Sequence, residues 1–309
     1  MNKFISKKLA FGASVLLVSM SAFSFTPSPM PNPEPDPGPG PCEDCDFTRG
    51  PAPTSASLET SAGPYSVASQ SVSRSVSGFG GGTIYYPTNT TGTMGAIAVV
   101  PGFLLQEPFI DFWGPRLASH GFVVITISAN SGNDSPTSRA AQLGRALDYV
   151  INQSNSGDSP ISGMVDGSRV GAIGWSLGGG GTLRLASGER LSAAIPIAPS
   201  DSSNNDFDQI KTPTLIIACE NDTIAPVNIN SSPFYNSIPS TTDKAFLEVN
   251  NGSHFCANDG GSNSDIVGKY GVSWMKRFID NDTRYDQFLC GPDHAAPRAI
   301  SEYRENCSY

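Results

Sequence analysis

A serine flanked by glycines, an acid and a histidine are spaced along this chain as acyl transfer would need them. Ser176 sits in Gly174-Trp175-Ser176-Leu177-Gly178, after the apolar run 169–175 and before a helix-like segment at 182–186. Gly-x-Ser-x-Gly between a strand and a helix reads as a sharp turn that lifts the serine hydroxyl above a sheet, and Gly174 and Gly178 let the backbone close. The turn also brings the Leu177 amide and the helix N-terminus beside the hydroxyl, where an oxyanion would form. A serine hydroxyl is a weak nucleophile near neutral pH. It needs a neutral imidazole to take its proton and an acid to hold that imidazole's tautomer.

The chain has three histidines, so the search for the base is short. His120 precedes Gly121 and an apolar run, and reads as a cap on the helix before it. His294 falls in a polar tail. His254, in Asn251-Gly252-Ser253-His254, follows a strand pattern and would open a loop at the C-terminal edge of a sheet, where α/β proteins place their sites. For the acid, the strand pattern at 214–219 ends in Glu220-Asn221-Asp222, and the order Ser176, Asp222, His254 is that of the α/β hydrolases. Glu220 is a neighbour that also points toward such a site; Asp201, Asp206 and Asp208 read as a solvated loop rather than a cation site, and no metal ligand set is expected.

The elements that must position these residues are legible around them. Edge strands are expected at 65–76 and 82–86. Strands buried on both faces are expected at 94–100 and 122–128, and further strands at 169–175, 193–197, 214–219 and 245–249. Helices are expected at 110–119, 138–153 and 267–279. Strands alternating with helices imply a mostly parallel central sheet flanked by helices, within a single domain.

Composition bounds the setting. Residues 1–24 combine Lys3, Lys7 and Lys8 with the apolar run 9–20 and small residues after it, the pattern of a secretory signal peptide. Residues 25–46 are expected to be a disordered Pro-rich linker; it contains Cys42-Glu43-Asp44-Cys45, whose spacing favours a local disulfide over a redox pair without a strand–helix context. The catalytic domain is then expected over 47–309. Formal charge is −9, falling to −12 once the three leader lysines are removed, and this disfavours nucleic acid or an anionic membrane as partner. Neither the leader run nor any other stretch is long enough to span a bilayer, so a secreted, soluble monomer is expected.

Three stretches carry a resemblance: Gly174-Trp175-Ser176-Leu177-Gly178-Gly179-Gly180-Gly181, residues 113–122 from Trp113 to Phe122, and Cys219-Glu220-Asn221-Asp222-Thr223-Ile224-Ala225-Pro226. They resemble the bacterial cutinases and poly(ethylene terephthalate) hydrolases of the α/β-hydrolase superfamily, over about residues 47–307, and Gly252-Ser253-His254 and Trp274-Met275-Lys276-Arg277-Phe278 extend the match. The resemblance implies Ser176 as nucleophile, His254 as base and Asp222 as its orienter, in agreement with the spacing. It adds the amides of Phe103 and Leu177 as oxyanion hole. It also implies an open cleft without a lid, lined by Phe103, Ser200, Ile224 and Phe255, and disulfides Cys219–Cys256 and Cys290–Cys307. The family usually has Trp where this chain has Ser200, so a ring that would stack on an aromatic acyl group is missing, worth ~0.5–1.5 kcal/mol beyond burial.

The expected activity is cofactor-free serine ester hydrolysis by an acyl-enzyme, on polyesters, poly(ethylene terephthalate) to be tried among them, and on short- to medium-chain esters. The alternatives are a triacylglycerol lipase or general esterase, which would want an amphipathic lid that the sequence lacks, and a non-catalytic adhesion module, which would have little use for the complete set Ser176, Asp222 and His254.

Overall fold

Seven consecutive buried residues make β3 (Met94–Val100) an interior strand, and its side chains alternate between two cores. Ile97 and Val99 face one, while Met94, Ala96, Ala98 and Val100 face the other. A strand covered on both faces needs helices on both, and this computed structural model supplies them. It describes residues 47–257, 263–294 and 298–307, all within one compact unit, Pro39–Tyr309. The leader, the linker and the Cys42–Cys45 pairing lie outside the described residues.

A nine-stranded sheet runs β1 (Val67–Val72), β2 (Gly82–Pro87), β4 (Val123–Ile127), β3, β5 (Val165–Trp175), β6 (Ala193–Ile197), β7 (Thr214–Cys219), β8 (Lys244–Val249), β9 (Ile300–Glu305). The strands from β4 to β8 pair in parallel, whereas β1, β2 and β9 are antiparallel at the two edges. Helices α1 (Ser55–Glu59), α2 (Trp113–Ala118) and α6 (Ser264–Ile279) pack through Leu58, Trp113, Leu117, Val267, Trp274 and Met275 on one face. Helices α3 (Pro136–Ser154), α4 (Leu177–Ala186) and α5 (Ser231–Ser237) pack through Leu143, Leu147, Leu183 and Phe234 on the other. The fold is that of an α/β hydrolase.

The expected strands and long helices are present with shifted ends. Helix α3 begins at Pro136, where the Ser135 hydroxyl accepts from the Ser138 N–H at 3.2 Å, an N-cap that starts the helix two residues before the apolar periodicity. Helix α4 begins at Leu177, immediately after the serine, so the four glycines Gly178 to Gly181 are helical. The polar strand β9 is a departure from the polar tail expected there. His294 lies before β9 and packs against it: its ring centroid is 4.1 Å from that of Tyr303, and its Nδ1 lies 2.9 Å from the Tyr270 hydroxyl. His120 caps α2 by its backbone N–H, which donates to the Leu117 carbonyl at 3.0 Å, and not by its imidazole. The ring is buried under Gly63, and burial, reinforced by Lys276 and Arg116, pushes its pKa down to about 3. No helix of the described residues is long and apolar enough to cross a membrane.

Candidate active site

Ser176 stands between β5 and α4 at φ +59°, a conformation costly for any residue with a Cβ, and three backbone hydrogen bonds hold it there. Its N–H donates to Ile197 at 2.9 Å, while its carbonyl accepts from Gly180 at 3.0 Å and from Ser200 at 2.9 Å. The turn closes only over glycine: a Cβ on Gly174 would meet the Gly178 carbonyl oxygen at 2.1 Å. The loop after β3 is pressed against the same residue, since a Cβ on Gly102 would lie 2.8 Å from the Ser176 Cβ. The next N–H along that loop, on Phe103, and the N–H of Leu177 at the first position of α4 donate to no acceptor among the described residues. Two candidate oxyanion donors therefore flank the serine.

Asp222 occupies the turn after β7 and has both carboxylate oxygens engaged. Oδ1 accepts from the N–H groups of Ile224 and Ala225, each at 2.8 Å, and Oδ2 lies 2.6 Å from His254 Nδ1. Burial acts to raise its pKa, but the bonds from His254, Ala225 and Ile224 outweigh it and hold the carboxyl below its usual range. An anionic acceptor at Nδ1 keeps that nitrogen protonated and leaves Nε2 with the lone pair. His254 is itself buried, in the loop after β8, and is tied to Trp175, the residue that precedes Ser176. The Trp175 indole N–H donates to the His254 carbonyl at 2.9 Å, and the two rings lie 5.3 Å apart. Trp175 is a residue that motif spacing does not mark as functional. The available signal was physical: a buried indole must find an acceptor.

A disulfide and several hydrogen bonds tie the acid loop to the base loop. The disulfide Cys219–Cys256 brackets Asp222 and His254, the Asn221 N–H donates to Gly252 at 2.8 Å, and the Asn251 N–H donates to Glu220 Oε2 at 2.7 Å. Glu220 thus braces the base loop instead of pointing into the site. Asp201 departs from the solvated loop expected of it: its carboxylate is buried and paired with Arg184 at 2.5 and 3.2 Å, and it also accepts from Ser203. Among the described residues the group with three ligand atoms close together is Cys290, Glu305 and Cys307, and its two sulfurs are joined as the disulfide Cys290–Cys307. Both disulfides implied by the resemblance are present.

The expected cleft residues surround this centre. Phe103, Ile224 and Phe255 are 52%, 65% and 47% exposed, and Phe255 leans on Trp175 with ring centroids 5.0 Å apart. Ser200 is half-buried, tied by its N–H to the Ser176 carbonyl.

A serine at a strand–helix elbow, an acid after β7 and a histidine after β8, all at the C-terminal edge of the parallel strands of one mixed sheet, define the α/β-hydrolase class. Within that class the chain belongs to the PET hydrolase-like family, whose model matches residues 42–308. It is 49% identical over 269 residues to a bis(hydroxyethyl) terephthalate hydrolase of Streptomyces coelicolor, covering 86% of this chain and 84% of that one. It is 50% identical over 266 residues to cutinase 1 of Thermobifida cellulosilytica, covering 85% of this chain and 98% of that one. A cutinase of Thermobifida fusca is likewise 50% identical, with 85% and 86% covered.

Proposed function

We propose that this protein is a secreted serine carboxylic ester hydrolase that cleaves polyesters and short- to medium-chain esters through an acyl-enzyme. Ser176 Oγ attacks the ester carbonyl carbon while His254 Nε2 takes the hydroxyl proton. The carbonyl oxygen becomes an oxyanion that accepts from the Phe103 and Leu177 N–H groups. Collapse breaks the ester C–O bond, and His254 returns its proton to the departing alkoxide, which leaves as the alcohol. Water then attacks the acyl-enzyme, gives a proton to His254, and frees the carboxylic acid as Ser176 is reprotonated.

The observation that carries this reading is the 2.6 Å contact between His254 Nδ1 and an Asp222 carboxylate whose other oxygen is already held by two backbone N–H groups. An acid fixed in that way orients the imidazole and stabilises it when charged. Kinship with proteins named cutinase and bis(hydroxyethyl) terephthalate hydrolase supports an ester of a polymer-forming acid as substrate. Ser200 offers no ring, so aliphatic acyl groups are favoured over aromatic ones. Two disulfides support export to an oxidising compartment.

The test compares wild type with Ser176→Ala on a soluble butyrate ester, an aliphatic polyester film and an amorphous poly(ethylene terephthalate) film. Loss of about 10⁴- to 10⁶-fold in kcat on the soluble ester is expected. Retention of wild-type rate by the alanine variant would remove Ser176 from the mechanism.

A further inference from the structure

Arg139, near the start of α3, is a cation with no exposure to solvent and no carboxylate partner among the described residues. Burying a charge without a counter-charge is costly, and only hydrogen bonds to the charged group offset it. Three backbone carbonyls supply them. Nη1 donates to Pro101 at 2.9 Å, Nη2 to Gly132 at 2.9 Å and Nε to Asp134 at 3.1 Å. Asp134 offers its carbonyl and not its carboxylate, which accepts from the Gln142 side-chain amide and the Ser131 N–H instead.

Two of these acceptors border the candidate oxyanion hole. Pro101 stands two residues before Phe103, and the Gly132 carbonyl also accepts the N–H of Leu104, the residue after it, at 2.9 Å. That bond holds Leu104 at φ +58°, a conformation costly for a side chain with a Cβ. One guanidinium thus grips the chain on both sides of the Phe103 N–H. The helical glycines of α4 make room for the grip. A Cβ on Gly181 would meet the Arg139 Cβ at 2.9 Å, and a Cβ on Gly178 would meet the Pro101 carbonyl oxygen at 2.6 Å. Gly178 belongs to the Gly-x-Ser-x-Gly turn, but nothing in the elbow itself calls for Gly181.

We propose that Arg139 is the positioning residue of the oxyanion hole, fixing the Phe103 N–H through the Pro101 and Gly132 carbonyls without itself touching the substrate. An oxyanion donor lowers the barrier only if it is aimed before the charge develops. Phe103 lies in an exposed loop, so the aim must come from elsewhere. A planar guanidinium fork sets the spacing of two carbonyls, which a single ammonium cannot do. The far end of the loop is tied separately: the Glu107 N–H donates to Ser128 Oγ at 3.1 Å, and Glu107 Oε1 lies 2.5 Å from Thr126 Oγ1. Loss of Arg139 therefore loosens the hole without releasing the loop. This role rests on the hydrolase reading above.

The test compares Arg139→Lys, Arg139→Met and Arg116→Lys with wild type on a soluble butyrate ester, well below each Tm. Lysine keeps the charge but not the fork, and methionine fills the space with neither donor nor buried charge. Arg116 is the matched control, a buried arginine that donates to the Leu58 and Ser264 carbonyls at 2.8 and 2.9 Å on the opposite face of the sheet. With KM changed less than about twofold, kcat is expected to fall about 10-fold in Arg139→Lys and about 100-fold in Arg139→Met. Inhibition by butylboronic acid, whose tetrahedral adduct on Ser176 carries an oxygen into the hole, is expected to weaken by the same factors. Arg116→Lys is expected to lower Tm and leave kcat and boronate affinity as in wild type. Either folded Arg139 variant suffices for the comparison. Wild-type kcat in it would overturn the proposal, and so would a rise in KM alone. Equal losses in the Arg116 and Arg139 variants would also overturn it, by reducing the effect to stability. Failure of wild type to cleave the ester would overturn the hydrolase reading instead.

Discussion

Removal of the Cys219–Cys256 disulfide is expected to cost stability and activity together, and removal of Cys290–Cys307 to cost stability alone. The two bridges close loops of sequence separation 37 and 17. Chain-entropy arithmetic makes them worth about 4 and about 3 kcal/mol, so the thermal penalties are similar, roughly 8 and 6 °C in Tm at about 2 °C per kcal/mol. Their relation to the site is different. Cys219 lies three residues before Asp222 and Cys256 two after His254, while Cys290 and Cys307 join the segment after α6 to the end of β9. After the first bridge is cut, the Asn221–Gly252 and Glu220–Asn251 bonds still link the loops, each worth about 1 kcal/mol. The carboxylate and imidazole are therefore loosened, not released, and kcat/KM is expected to fall about 10- to 100-fold, the scale of a misplacement of about 1 Å. The assay is steady-state hydrolysis of a soluble butyrate ester by Cys219→Ala/Cys256→Ala and Cys290→Ala/Cys307→Ala, well below each variant's Tm and with folding checked by circular dichroism. Equal activity losses in the two variants, or full kcat/KM in the first with its Tm lowered, would refute a role for the bridge in holding the site.

Two further outcomes follow from single side chains. Trp175→Phe keeps a ring against His254 but removes the donor to its carbonyl; a stability loss of about 1–3 kcal/mol with a drop in kcat/KM is expected, and denaturant titration with unchanged kcat/KM would show that the indole bond supports the fold only. His120, held at about 3 when folded against 6.5 as its reference value, is protonated first in the unfolded chain, so its effect is nil above pH 6.5 and destabilising as pH falls from there toward 3. The slope is about 1.4 kcal/mol per pH unit, hence about 2 kcal/mol between pH 6.5 and 5. His294 acts with the same sign in wild type and variant alike, so urea titrations of His120→Gln are expected to show a shallower pH dependence by that amount, and parallel curves would contradict the burial argument.

Much of the centre was legible because its signals are local. A strained elbow demands glycine at fixed offsets, and three histidines leave little choice of base. Asp222 could be named because acids that hold an imidazole sit in loops at the C-terminal edge of parallel strands. The misreadings share one cause. Glu220 and Asp201 look alike as exposed loop acids, and only distant partners decide their fates: an Asn251 N–H on the neighbouring loop for one, Arg184 on α4 for the other. Strand β9 was invisible because Ile300–Glu305 is mostly polar and forms only by pairing with β8.

The sequence by itself determined the class of chemistry, the order of the strands along the chain and which edge of the sheet carries the site, since these follow from periodicity and from residues a few positions apart. Tertiary structure decided what depends on contacts across the chain. It placed an indole N–H on the base-loop carbonyl and a carboxylate bridge beside the disulfide, and it displayed Leu104 on a strained turn against Gly132. A hydrogen bond or a φ angle set by a neighbour tens of residues away leaves no periodic trace in the residues that make it.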